Sequence, residues 1–154
     1  MQDSGRFRSP CIPFPSTVER GVALIGIILV SHGPLAEGLK GAAEMIVGPQ
    51  EHFLAIGMEA AADVDRLRAQ IEAAAVRVDG GVGALVLVDL MGGSPANASA
   101  YLAAADTPVI CGASLPMLLE VLTSRERTSL EELTGIALQA DRDGVVNLTQ
   151  LLAH

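Results

Sequence analysis

An unbroken apolar run, Ala23-Leu24-Ile25-Gly26-Ile27-Ile28-Leu29-Val30, stops at the polar triplet Ser31-His32-Gly33. It is rich in branched aliphatics and far too short to span a bilayer, so it predicts a strand buried on both faces. Beyond it, Leu35, Leu39, Ala42 and Ile46 recur at helical spacing, and Gly48-Pro49 ends that helix. Phe53 to Ile56 predicts a short second strand. A second helix opens at Asp63 as N-cap, carries Val64, Leu67, Ile71, Ala74 and Val78 on one stripe, and stops at Asp79-Gly80-Gly81. The third predicted strand, Ala84 to Val88, ends in Asp89-Leu90-Met91-Gly92-Gly93-Ser94-Pro95. Ser94-Pro95 reads as an N-cap followed by a first-turn proline, opening a helix that reaches about Ala104. Thr107 to Cys111 predicts a fourth strand, with Pro108 near its beginning, where proline is tolerated. Helices follow from Leu115 to Thr123 and from the capping box Ser129-Leu130-Glu131-Glu132 to Ala140. After a turn at Asp143-Gly144, Val145 to Leu148 predicts a final strand.

Strands alternating with helices predict an α/β fold: a doubly wound three-layer sandwich with a mainly parallel central sheet and right-handed crossovers. One domain over residues 21–154 accounts for all these elements. Residues 1–20, with Pro10, Pro13 and Pro15 and little periodicity, read as a flexible extension. Arg6, Arg8 and Arg20 ahead of the apolar run faintly imitate a secretory signal. No small-residue cleavage site follows, and removing the run would cost the domain its first strand. A cytoplasmic protein without membrane insertion is therefore expected.

Composition narrows the partners. Half of the 154 residues are hydrophobic, only 3% are aromatic and there is no Trp, so small aliphatics build the core. Stacking platforms for bases are nearly absent, and a formal net charge of −8 opposes contact with a phosphate backbone. Nucleic acid is excluded as a partner on those grounds. Cys11 and Cys111, far apart and without ligand spacing, suggest two free thiols in a reducing compartment rather than a disulfide or a zinc site. No metal or other cofactor is expected. Cys111 ends an apolar stretch and reads as a small core residue.

Open α/β sheets place chemistry at the carboxyl ends of their strands, and two buried runs here end in His32 and Asp89. Taken singly, each feature has an ordinary reading. A strand-end histidine is often structural, an aspartate there often caps a turn, and Gly92-Gly93-Ser94-Pro95 can be a plain tight turn. Together they are mutually useful. A phosphoryl group would rest at the start of the Ser94 helix, on free N–H groups and the positive end of the helix dipole. Gly92 and Gly93 would let the backbone approach it, with Ser94 and Ser31 as hydroxyl donors. A neutral nitrogen of His32 would attack phosphorus while Asp89, accepting from the other ring N–H, fixes the tautomer and stabilises the cation that forms.

Rival phosphate chemistries fail on the same residues. A P-loop needs a lysine after its glycines, and Lys40, the single lysine, lies on the first predicted helix. A receiver-type acceptor aspartate needs an acidic cluster after the first strand and a late lysine, and both are missing. His52, beside Glu51, and the terminal His154 read as exposed residues without metal-ligand spacing, and Glu126, Glu131 and Glu132 as a solvated helix face.

The ordered motifs Ile28-Leu29-Val30-Ser31-His32-Gly33, Ala36-Glu37-Gly38-Leu39, Ala43-Glu44-Met45, Val88-Asp89-Leu90-Met91-Gly92-Gly93-Ser94-Pro95-Ala96-Asn97 and Gly112-Ala113-Ser114-Leu115-Pro116-Met117-Leu118-Leu119-Glu120 closely resemble the mannose-type IIA component of the bacterial phosphoenolpyruvate:sugar phosphotransferase system. The resemblance runs from about Leu24 to Leu148. It implies a phosphocarrier, a phosphotransferase whose His32 accepts a phosphoryl group on Nε2 from the phosphocarrier protein HPr and passes it to a IIB component or uses it as a regulatory signal. It further implies that Asp89 holds the other ring nitrogen and that Ser94 helps bind the phosphoryl oxygens. A homodimer that exchanges its last strand, here Val145 to Leu148, is implied as well. The family often has an aromatic residue where Met91 stands. The phosphotransfer subunit of dihydroxyacetone kinase resembles the chain less well at Gly92 to Asn97, and a purely regulatory phosphohistidine module is the alternative from another class.

Overall fold

The computed structural model describes residues 23–153, so the extension expected over residues 1–20 and the terminal His154 lie outside the described residues. Its elements are β1 (Gly26–His32), α1 (Leu35–Val47), β2 (Phe53–Met58), α2 (Val64–Val78), β3 (Ala84–Val88), α3 (Ser94–Ala103), β4 (Val109–Cys111), α4 (Leu115–Ser124), α5 (Leu130–Asp143) and α6 (Leu148–Leu152). The strands pair in the order β2-β1-β3-β4, all parallel. Helices lie on both faces, which is the doubly wound three-layer sandwich expected from the sequence.

Alternation along the apolar runs decides which layer each residue meets. Ile25, Ile27 and Leu29, with Leu85, Leu87 and Ile110, pack against Ala36 and Ala43 of α1, Leu118 of α4 and Leu133 of α5. Ile28 and Val30, with Val86 and Val88, pack against Leu67 and Ile71 of α2 and Ala96 and Ala98 of α3. Each fully buried Ile or Leu contributes roughly 1.5–3 kcal/mol, so a one-residue slip of β1, which would exchange its two faces, is strongly disfavoured. The same alternation therefore fixes where His32 ends up.

Three boundaries differ from expectation. β1 runs two residues past the apolar run, because Ser31 and His32 stay in register with Gly57 and Met58 of β2. Gly93, not Ser94, is the N-cap of α3, without a side-chain cap bond, and Ser94 is the first helical residue. Proline satisfies either of the first helical positions, since neither N–H has a helical partner, so Pro95 alone does not fix the start. The expected final strand is not formed. Val145–Asn147 joins no sheet, and Asn147 instead caps α6, accepting from the Gln150 amide at 3.1 Å. Strand propensity is realised only by pairing at a sheet edge, and Val145 and Val146 reach neither β2 nor β4 and stay 85% and 60% exposed.

At the opposite pole from the strand ends, Arg125 closes the bottom of the sheet. It is 3% exposed and donates to the carbonyls of Ile25, His52 and Glu51 and to Gln50 Oε1, at 2.6–3.3 Å. Burial lowers its pKa from the usual arginine value, and the nearby Glu126 and Glu51 work against that shift. His52 is half-buried rather than exposed, with Nδ1 2.8 Å from the Val78 carbonyl. Glu132, expected on a solvated face, is exposed but completes the Ser129 capping box. Among the described residues no helix is long and apolar enough to cross a membrane.

Candidate functional site

Strand order reverses between β1 and β3: the chain leaves β1 for β2 on one side and takes up β3 on the other. The carboxyl ends of these two neighbours bound the crevice where such sheets bind ligands. His32 ends β1 and Asp89 follows β3, and the Asp89 amide donates to the Val30 carbonyl at 3.1 Å, holding the two ends together.

A single carboxylate oxygen organises the pair. Asp89 Oδ2 accepts from the His32 backbone N–H at 2.9 Å and lies 2.9 Å from ring Nδ1. The Asp89 side chain is 9% exposed and that of His32 is 46% exposed. A buried carboxylate facing Nδ1 holds the proton there, so the lone pair of the neutral ring is on Nε2. The arrangement thus leaves Nε2 of a half-exposed ring as the nucleophilic nitrogen, with a negative charge at Nδ1 to stabilise the cation formed on attack.

The start of α3 closes the other side. A methyl group on Gly93 would lie 2.6 Å from His32 Cε1 and 2.9 Å from Nε2, so the ring packs directly against this glycine. Gly92 is required for a different reason: its φ of +86° favours a residue without Cβ. The α3 ladder begins with the Asn97 amide donating to the Gly93 carbonyl at 3.0 Å. The Ser94 and Ala96 amides precede it without helical partners, and Pro95 has none to offer. Free donors and the positive end of the helix dipole therefore lie beside Nε2, suited to an anion.

Of the residues singled out in the sequence, His32, Asp89, Gly92, Gly93 and Ser94 come together in this crevice. Ser31 lies beneath it, 0% exposed, and its hydroxyl accepts from the Ala36 amide at 2.7 Å, starting α1. That bond spends the group on the loop after β1 instead of leaving it for a ligand. Gly33 crosses close by, its amide donating to the Met58 carbonyl at 2.8 Å, and a Cβ on Gly57 would lie within 2.3 Å of the Gly33 carbonyl oxygen. Cys111 lies in β4, paired with Val88 and packed partly buried against the α2–α3 layer. Burial, and then the Asp89 charge, raises its thiol pKa above the ordinary value. Among the described residues no three His, Cys, Asp or Glu side chains are grouped to hold a metal ion. Sequence reasoning missed Arg125, which sits in the charged stretch Arg125-Glu126-Arg127 and gives no signal of burial.

Known proteins share this arrangement of elements. A family model described as the PTS system fructose IIA component (EIIA-man) matches residues 26–138. The mannose-specific EIIAB component of Escherichia coli is 36% identical over 124 residues, which covers 79% of this chain; the chain spans 38% of that protein's length. The fructose-specific EIIA component of Bacillus subtilis is 32% identical over 112 residues, covering 71% of this chain and 77% of that protein. The solved structure of phosphotransferase system component EIIA from Streptococcus agalactiae superposes with a TM-score of 0.76 at 29% identity, over 82% of this chain and 99% of that one.

Proposed function

The chain belongs to the EIIA-man family of phosphotransferase-system IIA components, and on that premise we propose that it is a phosphocarrier with His32 as its acceptor. The observation that carries this reading is the 46% exposed ring of His32, with Asp89 Oδ2 2.9 Å from Nδ1 and Gly93 against Cε1 and Nε2. The Nε2 lone pair forms a bond to phosphorus as the donor's phosphorus–nitrogen bond breaks, and the donor nitrogen keeps that electron pair. The ring becomes cationic, its Nδ1–H donates to Asp89, and the carboxylate offsets the new charge. The Ser94 hydroxyl and the Ser94 and Ala96 amides take the phosphoryl oxygens. The donor in this reading is HPr and the acceptor a IIB component, both met in the cytoplasm.

We propose a homodimer as well. Val145, Val146, Leu148, Leu151 and Leu152 are close together in sequence and all at least 60% exposed, a concentration of apolar side chains that a second copy would cover. Light scattering on the chain with and without residues 145–154 distinguishes the cases: dimer for the first and monomer for the second supports the proposal, and a monomeric full chain contradicts it.

Incubation with phosphoenolpyruvate, enzyme I and HPr tests the carrier function. The expected label is acid-labile and alkali-stable, and His32→Ala abolishes it; full label in that variant overturns the assignment.

A further inference from the structure

β2 forms one edge of the sheet and pairs only with β1. The Ile27 and Gly33 amides donate to the carbonyls of His52 and Met58, at 2.9 and 2.8 Å, so these two carbonyls face β1. Backbone groups alternate in direction along a strand, so Leu54 and Ile56 also face β1, while Phe53, Ala55 and Gly57 face away from it. Lys40 Nζ covers the first of these, donating to the Phe53 carbonyl at 3.1 Å and blunting the start of the edge. Ala55 and Gly57 each keep an amide and a carbonyl open to a further strand.

Helix α2 walls this edge. Leu54, Ile56 and Met58 pack their side chains, partly buried, against the cluster that holds Leu67 and Ile71. Beside them runs a groove of about 400 Å³, bounded on the helix by Gln70, Ala73 and Arg77, which share one face. It continues past Gly57 and Gln70 toward Glu59, Asp63 and Arg66. The two ends carry opposite charge. Arg77 is exposed and makes no hydrogen bond or ion pair with the described residues. At the other end the carboxylates of Glu59 and Asp63 outnumber the single guanidinium of Arg66.

We propose that the β2 edge docks an extended segment of a partner protein, with a carboxylate toward Arg77, an apolar side chain over Ile56 and a cation toward Glu59 and Asp63. Leu54 to Met58 spans about 13 Å at about 3.3 Å per residue, and side chains i, i+2 and i+4 of an added strand share the α2 face. Backbone hydrogen bonds to Ala55 and Gly57 hold the segment, and the charges at the two ends select it. β2 lies on the side of β1 away from β3, so docking does not occupy the crevice beside His32. The proposal does not depend on the phosphocarrier reading.

NMR of the ¹⁵N-labelled full chain tests this with acetyl-Thr-Glu-Thr-Val-Thr-Lys-Thr-amide and its reverse sequence, one for each strand direction. At least one of the two is expected to shift the Ala55 and Gly57 amides and, at saturation, to slow their exchange with solvent roughly 10-fold or more. Arg77→Glu should weaken that peptide roughly 3- to 10-fold, since an exposed ion pair is lost and a like-charge contact replaces it. The variant should instead favour the peptide in which lysine replaces the glutamate. Ala55 and Gly57 amides unmoved by millimolar peptide, or equal affinity for parent and Arg77→Glu, would overturn the proposal. Concentration-dependent protection of these amides in the chain alone would overturn it too, by giving the edge to a second copy.

Discussion

Replacing Gly93 by alanine sets a methyl group against the His32 ring. The new carbon would lie 2.6 Å from Cε1 and 2.9 Å from Nε2, where carbon contacts settle at about 3.5–4.0 Å. The ring must retreat by about 1 Å, and its 2.9 Å contact with Asp89 Oδ2 is the interaction that gives way. A displacement of that size at a reacting atom costs up to about 100-fold in rate. Losing a hydrogen bond to a charged group costs about 1.5–3 kcal/mol, or roughly 10- to 100-fold, so the two routes agree. Stability should respond differently. Gly93 has φ −94° and ψ 174°, open to alanine, and the ring is 46% exposed and free to swing outward. Removing a glycine also restricts the unfolded chain, by about 0.4–1 kcal/mol in favour of the folded state. Gly93→Ala is therefore expected to label 10- to 100-fold more slowly in quench-flow with phospho-HPr, with a melting temperature within a few degrees of the parent. Labelling at the parent rate would refute the packing argument, and a collapse in melting temperature would show that Gly93 serves the fold instead of the ring.

Asp89→Asn keeps the shape but removes the charge behind the ring, so transfer should slow by roughly 10-fold or more while the fold persists; stopped-flow transfer checks this, and an unchanged rate contradicts the orienting role. Arg125→Ala strips four acceptors, one buried and three part-buried, of their donor and should lower stability by about 3 kcal/mol, roughly 6–12 °C in melting temperature by calorimetry. Lysine should not rescue it, because one ammonium cannot span that fork of acceptors; an alanine variant melting with the parent would show the bonds to be inert. Asp79 Oδ1 accepts from the Gly81 and Gly83 amides at 2.7 and 3.0 Å, and these bonds, Gly83 first, hold its carboxyl below the ordinary value. A depressed carboxyl contributes stability that is present above the unfolded value near pH 4 and lost as pH falls through the folded value. Acid melts should therefore show a shallower decline below about pH 4 in Asp79→Asn than in the parent, and parallel curves would exclude the loop as the source.

Much of the site was legible because it sits at the ends of two buried runs. The physics that makes Ile25 to Val30 and Ala84 to Val88 strands also puts the polar residues after them at one edge of the sheet. That β1 and β3 are neighbours is a matter of tertiary pairing, which spacing alone does not fix. Ser31 shows the cost of reading a hydroxyl by type: next to a histidine it suggested a phosphate donor, but the turn into α1 needed an acceptor for the Ala36 amide and took it. Gly93 was read as room for a phosphoryl group, and the structure shows that the same missing methyl admits the ring itself. Val145 and Val146 carried strand propensity but pair with neither edge strand of the sheet, β2 or β4. Arg125 was invisible because its charge suggested solvent, while its acceptors, three of them carbonyls, converge only after the chain has folded.

The central claim is that His32 carries the phosphoryl group on Nε2 while Asp89 keeps the proton on Nδ1. Nitrogen NMR of the protein labelled with ¹⁵N-histidine, recorded before and after phosphorylation by HPr, reads both atoms at once. The account predicts phosphorus coupling at Nε2 of His32 alone, with Nδ1 protonated and hydrogen-bonded, and disruption of the Nδ1 signal in Asp89→Asn. Coupling at Nδ1, or at any histidine other than His32, would contradict it.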